Sequence, residues 1–373
     1  MALPDALSLF TELAAIPSPP GEERAVADRV LAYLEELGLD VDEDAAGSTI
    51  GSTMGNVLAR LPPRDANGGT ALFLCSHLDT VPPTAPIDPL VVDGIVRNAS
   101  PTILGADNKA AVAVMLAAVG VVVEERRPHA GIELLFTPKE ETGLEGAKAF
   151  DVERLHARVG FVYDHAGPVG EVVAAAPSST AVDAVFRGRA AHAGMHPEEG
   201  RSAVAAAARA IADLRLGRVD DETTANVGIV AGGTARNVVP DRCAVVAEAR
   251  SLDEARLASL VGEMVDSFTF AASLGECEVD VTLEEKYRGY RFQREDEPLR
   301  LAFAALAACG LEPSPVRAGG GADANVLNAR GRACANLANG MTRIHSADEH
   351  IAVADVERMV AVTLALVDAA RGA

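Results

Sequence analysis

The chain of 373 residues contains no tryptophan, and aromatic residues make up only 4% of it. Hydrophobic residues nevertheless reach 49%, so a large core is available, and it must be packed mainly with alanine, valine and leucine. A chain of this length can form one large domain or two domains of ordinary size.

Basic residues are also scarce, since 33 Lys and Arg stand against 54 Asp and Glu, giving a formal net charge of −21. A field of this sign repels phosphate backbones and anionic membrane surfaces. It favours solubility and attracts multivalent cations. We therefore expect neither a nucleic acid nor a membrane among the partners.

The five cysteines are scattered and include no C-x-x-C pair, which disfavours a disulfide framework and a cysteine-rich zinc site. The N-terminal segment carries Asp5 and Glu12 without a basic lead, unlike a signal peptide. The longest strongly apolar run, residues 110–123, is too short to span a bilayer. These features predict a cytoplasmic protein.

Helical and strand patterns alternate from the start of the chain to about residue 175. This alternation predicts an α/β fold, a mixed sheet with helices on both faces. The predicted helices cover residues 5–15, 22–37 and 108–126, and the predicted strands cover 56–61, 70–77, 132–137 and 159–163.

The segment 177–289 has a different pattern, whose order βαββαβ is that of a ferredoxin-like domain. After Tyr290 the chain returns to a helix, a Gly-rich turn, a strand and a final helix. We therefore predict one domain formed by residues 1–176 and 290–373, with a second domain, 177–289, inserted into it.

The stretch LFLCSHLDTV begins as a buried strand and ends on His77 and Asp79. Alternate side chains of a strand share a face, so these two emerge side by side at the carboxyl end, where open α/β sheets bind their ligands. A strand that becomes polar on reaching solvent would give the same pattern. The motif alone leaves both interpretations open.

Other predicted strands also end on polar residues. The neighbours Glu140 and Glu141 follow strand 132–137, and their side chains should diverge into different roles. Asp164 ends strand 159–163, Asp107 begins a long helix, and His345 follows a later strand. Each has an ordinary alternative, such as a helix N-cap for Asp107 or a solvated turn for the glutamates.

Together, these acids at one sheet edge are costly unless cations compensate them. Two histidines and three carboxylates, without thiolates, suit a pair of divalent ions such as zinc, cobalt or manganese. Three carboxylates on two such ions leave about one unit of positive charge, enough for a Lewis acid. We therefore predict two divalent metal ions per subunit, with zinc favoured.

Several longer blocks run in order through nearly the whole chain: SHLDTV, LGADNKAA, KEETGLEGA, DHAGPVG, AAHAGMHPEEGRSA, GGTARNVVPD, GGGADANVLNARG and IHSADE. In these blocks the sequence resembles the co-catalytic zinc exopeptidases that include peptidase T, carboxypeptidase G and the aminoacylases. The peptidase T-like group is the most similar. The resemblance implies a zinc exopeptidase-like catalytic domain with an inserted lid domain.

The resemblance also implies a ligand set. His77 and Asp164 would hold one metal ion, Glu141 and His345 would hold the other, and Asp107 would bridge both. The family further places a cis peptide bond after the bridging aspartate, here between Asp107 and Asn108.

Two further acids receive roles from the same resemblance. Glu140 would be the general base, taking a proton from the attacking water and passing it to the leaving amine. Asp79 would hydrogen-bond to His77, fixing its tautomer and raising its basicity.

In the lid domain, the resemblance implies that His192 reaches a neighbouring active site and stabilises the oxyanion. Asn237 and Arg250 would hold a substrate carboxylate. A surface histidine and a structural ion pair are the alternatives for His192 and Arg250. A homodimer joined through the lid domains follows from the same resemblance.

Asp164 bears on the substrate, because family members that act on free amino termini carry Asp there, whereas deacylases and carboxypeptidases carry Glu. We therefore predict hydrolysis of short peptides, tripeptides foremost, with release of the N-terminal residue. The alternatives are an N-acyl amino acid deacylase or carboxypeptidase and a catalytically silent metal- or peptide-binding homologue; Glu140 argues against the silent homologue. A nucleotide-binding protein is disfavoured because the run Gly319–Gly321 lacks the Lys and Ser/Thr of a phosphate loop.

Overall fold

A computed structural model describes residues 5–65 and 68–371. Contacts divide the chain into two compact units. The first unit comprises the chain up to Ala174, Phe292–Ala318, and the chain from Ala322 onward; the second comprises Ala175–Arg291 and Gly319–Gly321. The sequence places Gly319–Gly321 with the residues of the first unit, whereas the structure groups them with the second.

The N-terminal part of the chain alternates helices and strands. In order it forms α1 (Ala6–Ala14), α2 (Arg24–Glu36), β1 (Asp40–Glu43), α3 (Ala46–Ile50), β2 (Val57–Leu61), β3 (Leu72–His77), β4 (Pro89–Val92), β5 (Ile95–Asn98), α4 (Ala106–Glu124), β6 (Ile132–Thr137), α5 (Glu145–Ala149), β7 (Val159–His165) and β8 (Glu171–Ala176).

The middle part contains β9 (Ser178–Arg187), α6 (Ala203–Asp213), β10 (Gly217–Asp220), β11 (Thr223–Gly232), β12 (Arg242–Ser251), α7 (Glu254–Leu274) and β13 (Glu278–Tyr287). The remainder forms β14 (Tyr290–Arg291), α8 (Glu297–Ala308), β15 (Ser314–Arg317), α9 (Asp323–Ala329), β16 (Ala333–Ala338), β17 (His350–Ala352) and α10 (Val353–Ala370).

The main sheet has the order β1-β2-β6-β3-β7-β16-β8-β14, with β15 paired to β8. Strands β6, β3, β7 and β16 run parallel, whereas β2 and β8 are antiparallel to their neighbours. Strands β3 and β6 are buried along their whole length and are mainly apolar, as expected for parallel strands covered on both faces. The predicted mixed α/β sheet is therefore confirmed. A separate small sheet has the order β17-β5-β4.

Helix α4 forms the centre of the core of the first unit and is buried along almost its whole length. It is apolar all round, as expected for a helix enclosed by protein. By length and composition alone, α4 and α7 would be able to cross a membrane, but 89% of the apolar window of α4 is buried inside the protein. The run 110–123 thus lies inside α4, and enclosure in the core accounts for its composition.

The second unit is built on an antiparallel sheet of order β10-β11-β12-β9-β13. Its strands and helices follow the predicted order βαββαβ, with the short strand β10 added. Helices α6 and α7 pack against this sheet around a core of their own. Phe186 and Phe268 meet in this core edge to face, with ring centroids 5.9 Å apart.

Candidate metal centre

The polar residues predicted at strand ends converge at one edge of the main sheet. Strand β3 pairs in parallel with β6 on one side and β7 on the other, so the carboxyl ends of all three strands meet. His77 is the last residue of β3, and Asp164 lies at the end of β7. Glu140 and Glu141 follow the end of β6. The sheet topology therefore brings distant parts of the chain to one position.

Asp107 faces two imidazoles with its two carboxylate oxygens. Its Oδ1 lies 3.2 Å from Nε2 of His77, and its Oδ2 lies 3.2 Å from Nε2 of His345. Nε2 of His77 is also 3.5 Å from Oδ1 of Asp164. Nε2 of His345 is 2.9 Å from Oε1 of Glu141. The five residues thus form two groups that share Asp107.

The side chains of the neighbours Glu140 and Glu141 belong to different candidate metal-binding groups, as predicted for adjacent residues whose side chains diverge. Glu141 can join His77 and Asp107 around a metal ion, whereas Glu140 can join His77 and Asp164. In each group the ligand atoms lie within 4.8 Å of one another.

Asp79 holds the backbone of this glutamate pair. Its Oδ1 accepts a hydrogen bond from the Glu140 N–H and its Oδ2 accepts one from the Glu141 N–H, both at 3.0 Å. Nδ1 of His77 lies 2.9 Å from the backbone oxygen of Asp79 and 3.4 Å from its carboxylate. Nδ1 of His77 therefore has two acceptors on Asp79 within reach, the carbonyl oxygen and, slightly farther away, the carboxylate that the sequence predicts.

Asp107 lies where α4 begins, but its side chain does not cap the helix. The N-cap residue is Gly105, in the left-handed conformation, and Asp107 itself has non-helical backbone angles. The Asp107–Asn108 peptide bond is cis, as the resemblance implies. The ordinary N-cap alternative for Asp107 is therefore wrong.

The pKa values of the carboxylates show how strongly their ionisation depends on nearby positive charge. Burial raises the pKa of Asp164 to about 7. Burial and the charge of Asp164 raise the pKa of Glu140 well above its ordinary value. Burial acts in the same direction on Asp107, but hydrogen bonds from His345 and His77 outweigh it and hold that pKa well below its ordinary value. Protonated imidazoles or bound cations can supply the charge that these acids need.

The pKa values of both imidazoles are raised, which favours their charged forms. Hydrogen bonds to Asp107 and Glu141 raise the pKa of His345 to about 10. Burial opposes the charge on His77, but hydrogen bonds to Asp107, Asp164 and Asp79 raise its pKa well above the ordinary value. The attraction between imidazoles and carboxylates marks where a cation would bind.

The donor set fits divalent metal ions. It offers imidazole nitrogens and carboxylate oxygens without thiolates, a combination suited to zinc, cobalt or manganese. Oδ1 of Asp107 is buried without a hydrogen-bond partner of good geometry, an arrangement that a metal ion would satisfy.

Two buried acids near the site were not found from the sequence. Glu349 accepts backbone N–H groups around Asp107, and Oδ2 of Asp323 accepts a hydrogen bond from Oγ1 of Thr137 at 2.5 Å. Asp323 stands in the block GGGADAN and Glu349 in IHSADE, so block membership is the signal that would have singled them out.

The predicted substrate-binding residues lie in the second unit. His192 is exposed, and its Nδ1 accepts a hydrogen bond from the Gly194 N–H at 3.3 Å. Its neighbour Ala193 donates its N–H to the carbonyl of Asn237 at 2.9 Å, so His192 and Asn237 lie in adjacent turns.

Arg250 lies on β12 with its guanidinium partly exposed. Nη2 donates to Oε2 of Glu248 at 2.9 Å, and Nη1 donates to the carbonyl of Gly319 at 3.4 Å. Arg250 therefore has a structural ion-pair partner, while its Nε is buried without a hydrogen-bond partner.

The neighbouring Gly-rich turn packs closely against the second unit's last long strand. A Cβ on Gly321 would lie 2.5 Å from the ring of Tyr287, so this glycine is required for close packing.

Comparisons with known proteins agree with the sequence blocks and the fold. The sequence model of Peptidase family M20/M25/M40 matches residues 73–369. The protein YqjE of Bacillus subtilis (strain 168) is 36% identical over 364 residues, 98% of each chain. The crystal structure of aminopeptidase PepT from Bacillus cereus ATCC 10987 is 38% identical, with a TM-score of 0.91 over 98% of each chain. That of a tripeptidase from Staphylococcus aureus subsp. aureus Mu50 is 34% identical, with a TM-score of 0.94 over 98% of each chain.

These matches confirm the resemblance to the dinuclear exopeptidases that was drawn from the sequence blocks. The family model alone covers well over half of the chain. The chain therefore belongs to the peptidase family M20/M25/M40.

Proposed function

We propose that this peptidase releases the N-terminal residue from short peptides in a metal-dependent reaction. The observation that carries the proposal is the shared group of two imidazoles and three carboxylates, with Glu140 beside it. The aminopeptidase PepT and the tripeptidase that this chain is similar to support the same activity. Glu140 also disfavours a purely metal- or peptide-binding protein, which needs no base there.

We assign His77 and Asp164 to one divalent ion, Glu141 and His345 to the other, and Asp107 to both. When bound, the two ions, zinc by preference and otherwise cobalt or manganese, supply Lewis acidity toward the scissile carbonyl and the attacking water. Asp79 keeps Glu140 and Glu141 in place through their N–H groups.

Glu140 acts as the general base in this proposal. It takes a proton from the attacking water and returns it to the leaving amine. Burial raises the pKa of Glu140, which makes it a stronger base than an exposed glutamate.

Substrate recognition falls to four residues. His192 donates a hydrogen bond to the oxyanion, and Asn237 and Arg250 hold the carboxylate at the far end of the peptide. One oxygen of Asp164 receives the substrate ammonium. Recognition of both charged ends limits the length of the peptide to a few residues, with tripeptides foremost.

Acetylation of the substrate should therefore abolish activity, because the N-acetyl peptide has no ammonium group to meet Asp164. The test compares kcat/KM for a free tripeptide and its N-acetyl form with the same metal-loaded enzyme. A matched C-terminal amide measures the contribution of Asn237 and Arg250 separately. Equal rates on the free and acetylated peptides, or a preference for the acetylated one, would assign the protein to the deacylases or carboxypeptidases.

We further propose that the protein is a homodimer joined through the second unit, with His192 of each subunit serving the other's active site. Strand β10 pairs only with Thr223–Ala225, so in the described structure the outer edge of β11 beyond Ala225 carries no further strand. Ile229, Val230 and Val246 are large apolar residues exposed on β11 and its neighbour β12. An apolar open edge of this kind favours pairing with a second copy around a twofold axis.

Mixing Glu140→Gln and His192→Ala proteins should restore activity if active sites are shared. Half of randomly mixed dimers contain both variants and each of these has one intact site, so about a quarter of wild-type activity is expected. Native mass spectrometry verifies that subunits have exchanged. No recovery after verified exchange, or a fully active monomer, would contradict the shared dimer.

We also propose a cytoplasmic location. All five cysteines are free thiols in the structure, as a reducing compartment favours. Fractionation of cells that express the tagged protein tests this, and recovery outside the cytoplasmic fraction would contradict it.

A further inference from the structure

We propose that Glu349 is a positioning residue that holds the metal ligand Asp107 in place, and that without it both metal ions bind more weakly. This inference rests on the proposed role of Asp107 as the ligand shared by two ions. It goes beyond that role by assigning to Glu349 the task of orienting the shared ligand.

The carboxylate of Glu349 accepts three backbone N–H groups from one short loop. Oε2 accepts hydrogen bonds from the N–H of Leu104 at 2.7 Å and of Gly105 at 2.9 Å. Oε1 accepts one from the N–H of Asp107 itself at 2.9 Å. Glu349 is only 3% exposed, so these bonds are shielded from competing water. Bonds from N–H groups to a buried carboxylate are the stronger, charge-assisted kind.

A buried lysine lies near this carboxylate. Lys109 is fully buried, donates its Nζ to the carbonyl of Ile16, and interacts electrostatically with Glu349 and Asp79. Glu349 and Asp79 are thus two buried acids that accept hydrogen bonds from backbone amides and are not themselves assigned as metal ligands. Asp79 holds the Glu140–Glu141 pair, and Glu349 holds Asp107.

The position of Glu349 in the chain connects two ligands. It follows His345 by four residues, and its own N–H donates to the carbonyl of Ser346 at 3.1 Å. His345 itself has a left-handed backbone, with φ of 61°. One short segment therefore carries a ligand for one ion and the carboxylate that fixes the ligand shared by both.

A merely structural role would have a different signature. Loss of three buried hydrogen bonds would then lower the temperature of unfolding and leave the metal affinity of the folded protein unchanged. A positioning role instead predicts weaker metal binding by the folded protein. Residues that orient metal ligands usually contribute about 10- to 100-fold in metal affinity.

The test is Glu349→Gln, in which an amide NH₂ replaces one oxygen, so that at least one of the three N–H groups faces a donor. Glu357→Gln is the matched control, because Glu357 is an exposed glutamate on α10. Zn²⁺ alone is the probe, with its affinity measured by competition with a chromophoric chelator and the folded fraction measured by circular dichroism.

We expect Glu349→Gln to bind both Zn²⁺ equivalents about 10- to 100-fold more weakly, with Glu357→Gln unchanged. Excess Zn²⁺ should restore much of the activity. Affinity within twofold of wild type for both equivalents would overturn the proposal. If Glu349→Gln does not fold, Glu349→Asp, which retains the charge but is one methylene too short to reach all three N–H groups, is held to the same criterion.

The readout also separates this inference from the proposed function. Zn²⁺ affinity is measured without substrate, so a wrong assignment of the peptide substrate would leave the result intact. A wild-type protein that binds no Zn²⁺ would instead refute the proposed metal-dependent function itself.

Discussion

Glu140→Gln is expected to lower kcat by about 10²–10⁴ while two metal ions stay bound. Glutamine has nearly the shape of glutamate but cannot take the proton of the attacking water. Glu140 belongs to the group of His77 and Asp164, but the nitrogen of His77 contacts Asp107 and Asp164 directly. The Glu140→Gln protein should therefore still bind both metal ions.

Kinetics and metal content measured by mass spectrometry on the same preparation check this prediction. Glu141→Gln and His345→Ala are the contrasting variants, because they remove opposite sides of the 2.9 Å contact between these two residues and should lose metal. Glu145→Gln is a control at the start of α5, just after this loop, since its carboxylate binds Lys139 and Thr142 instead. A Glu140→Gln protein that keeps more than a few per cent of activity would show that another group is the base.

The features predicted from sequence are those with strong local signals. Strands β3, β6 and β7 are predictable because each is a mainly apolar run that leads into polar residues, and parallel strands must bring such ends together. The pairing of His77 with Asp164 follows from this arrangement. The order of helices and strands in the second unit was predicted from their patterns in the same way.

Short strands escaped prediction because their pattern is too brief to stand out. Strands β4, β5 and β17 have three or four residues each and depend on one another for pairing. Their stability comes from tertiary pairing rather than from local propensity.

The buried acids around the site could not be predicted from the sequence for another reason. Glu349 lies 242 residues from Asp107, and Asp323 lies 186 residues from Thr137. No local pattern distinguishes an acid that accepts distant backbone amides from an acid on a solvated turn. The same limit applies to Asp79, whose carboxylate also accepts hydrogen bonds from the amides of Glu140 and Glu141, 61 and 62 residues away.

Removal of metal from the wild-type protein is the second change with a large expected effect. Two bound divalent ions would supply several kcal/mol of stabilisation to the transition state, and about 1.4 kcal/mol corresponds to tenfold in rate. A chelated protein should therefore hydrolyse tripeptides about 10³-fold more slowly or worse. The carboxylates left without cations also repel one another, so the temperature of unfolding should fall as well.

Titration of the chelated wild-type protein with Zn²⁺ tests the central claim most directly. Bound Zn²⁺ per chain and the initial rate on a free tripeptide are measured on each sample, with Glu140→Gln as the variant that takes up metal without activity. The account predicts a rate that rises from background and reaches its plateau at two bound ions per chain. Full activity of the chelated protein, or two bound ions with no hydrolysis of any free tripeptide, would contradict it.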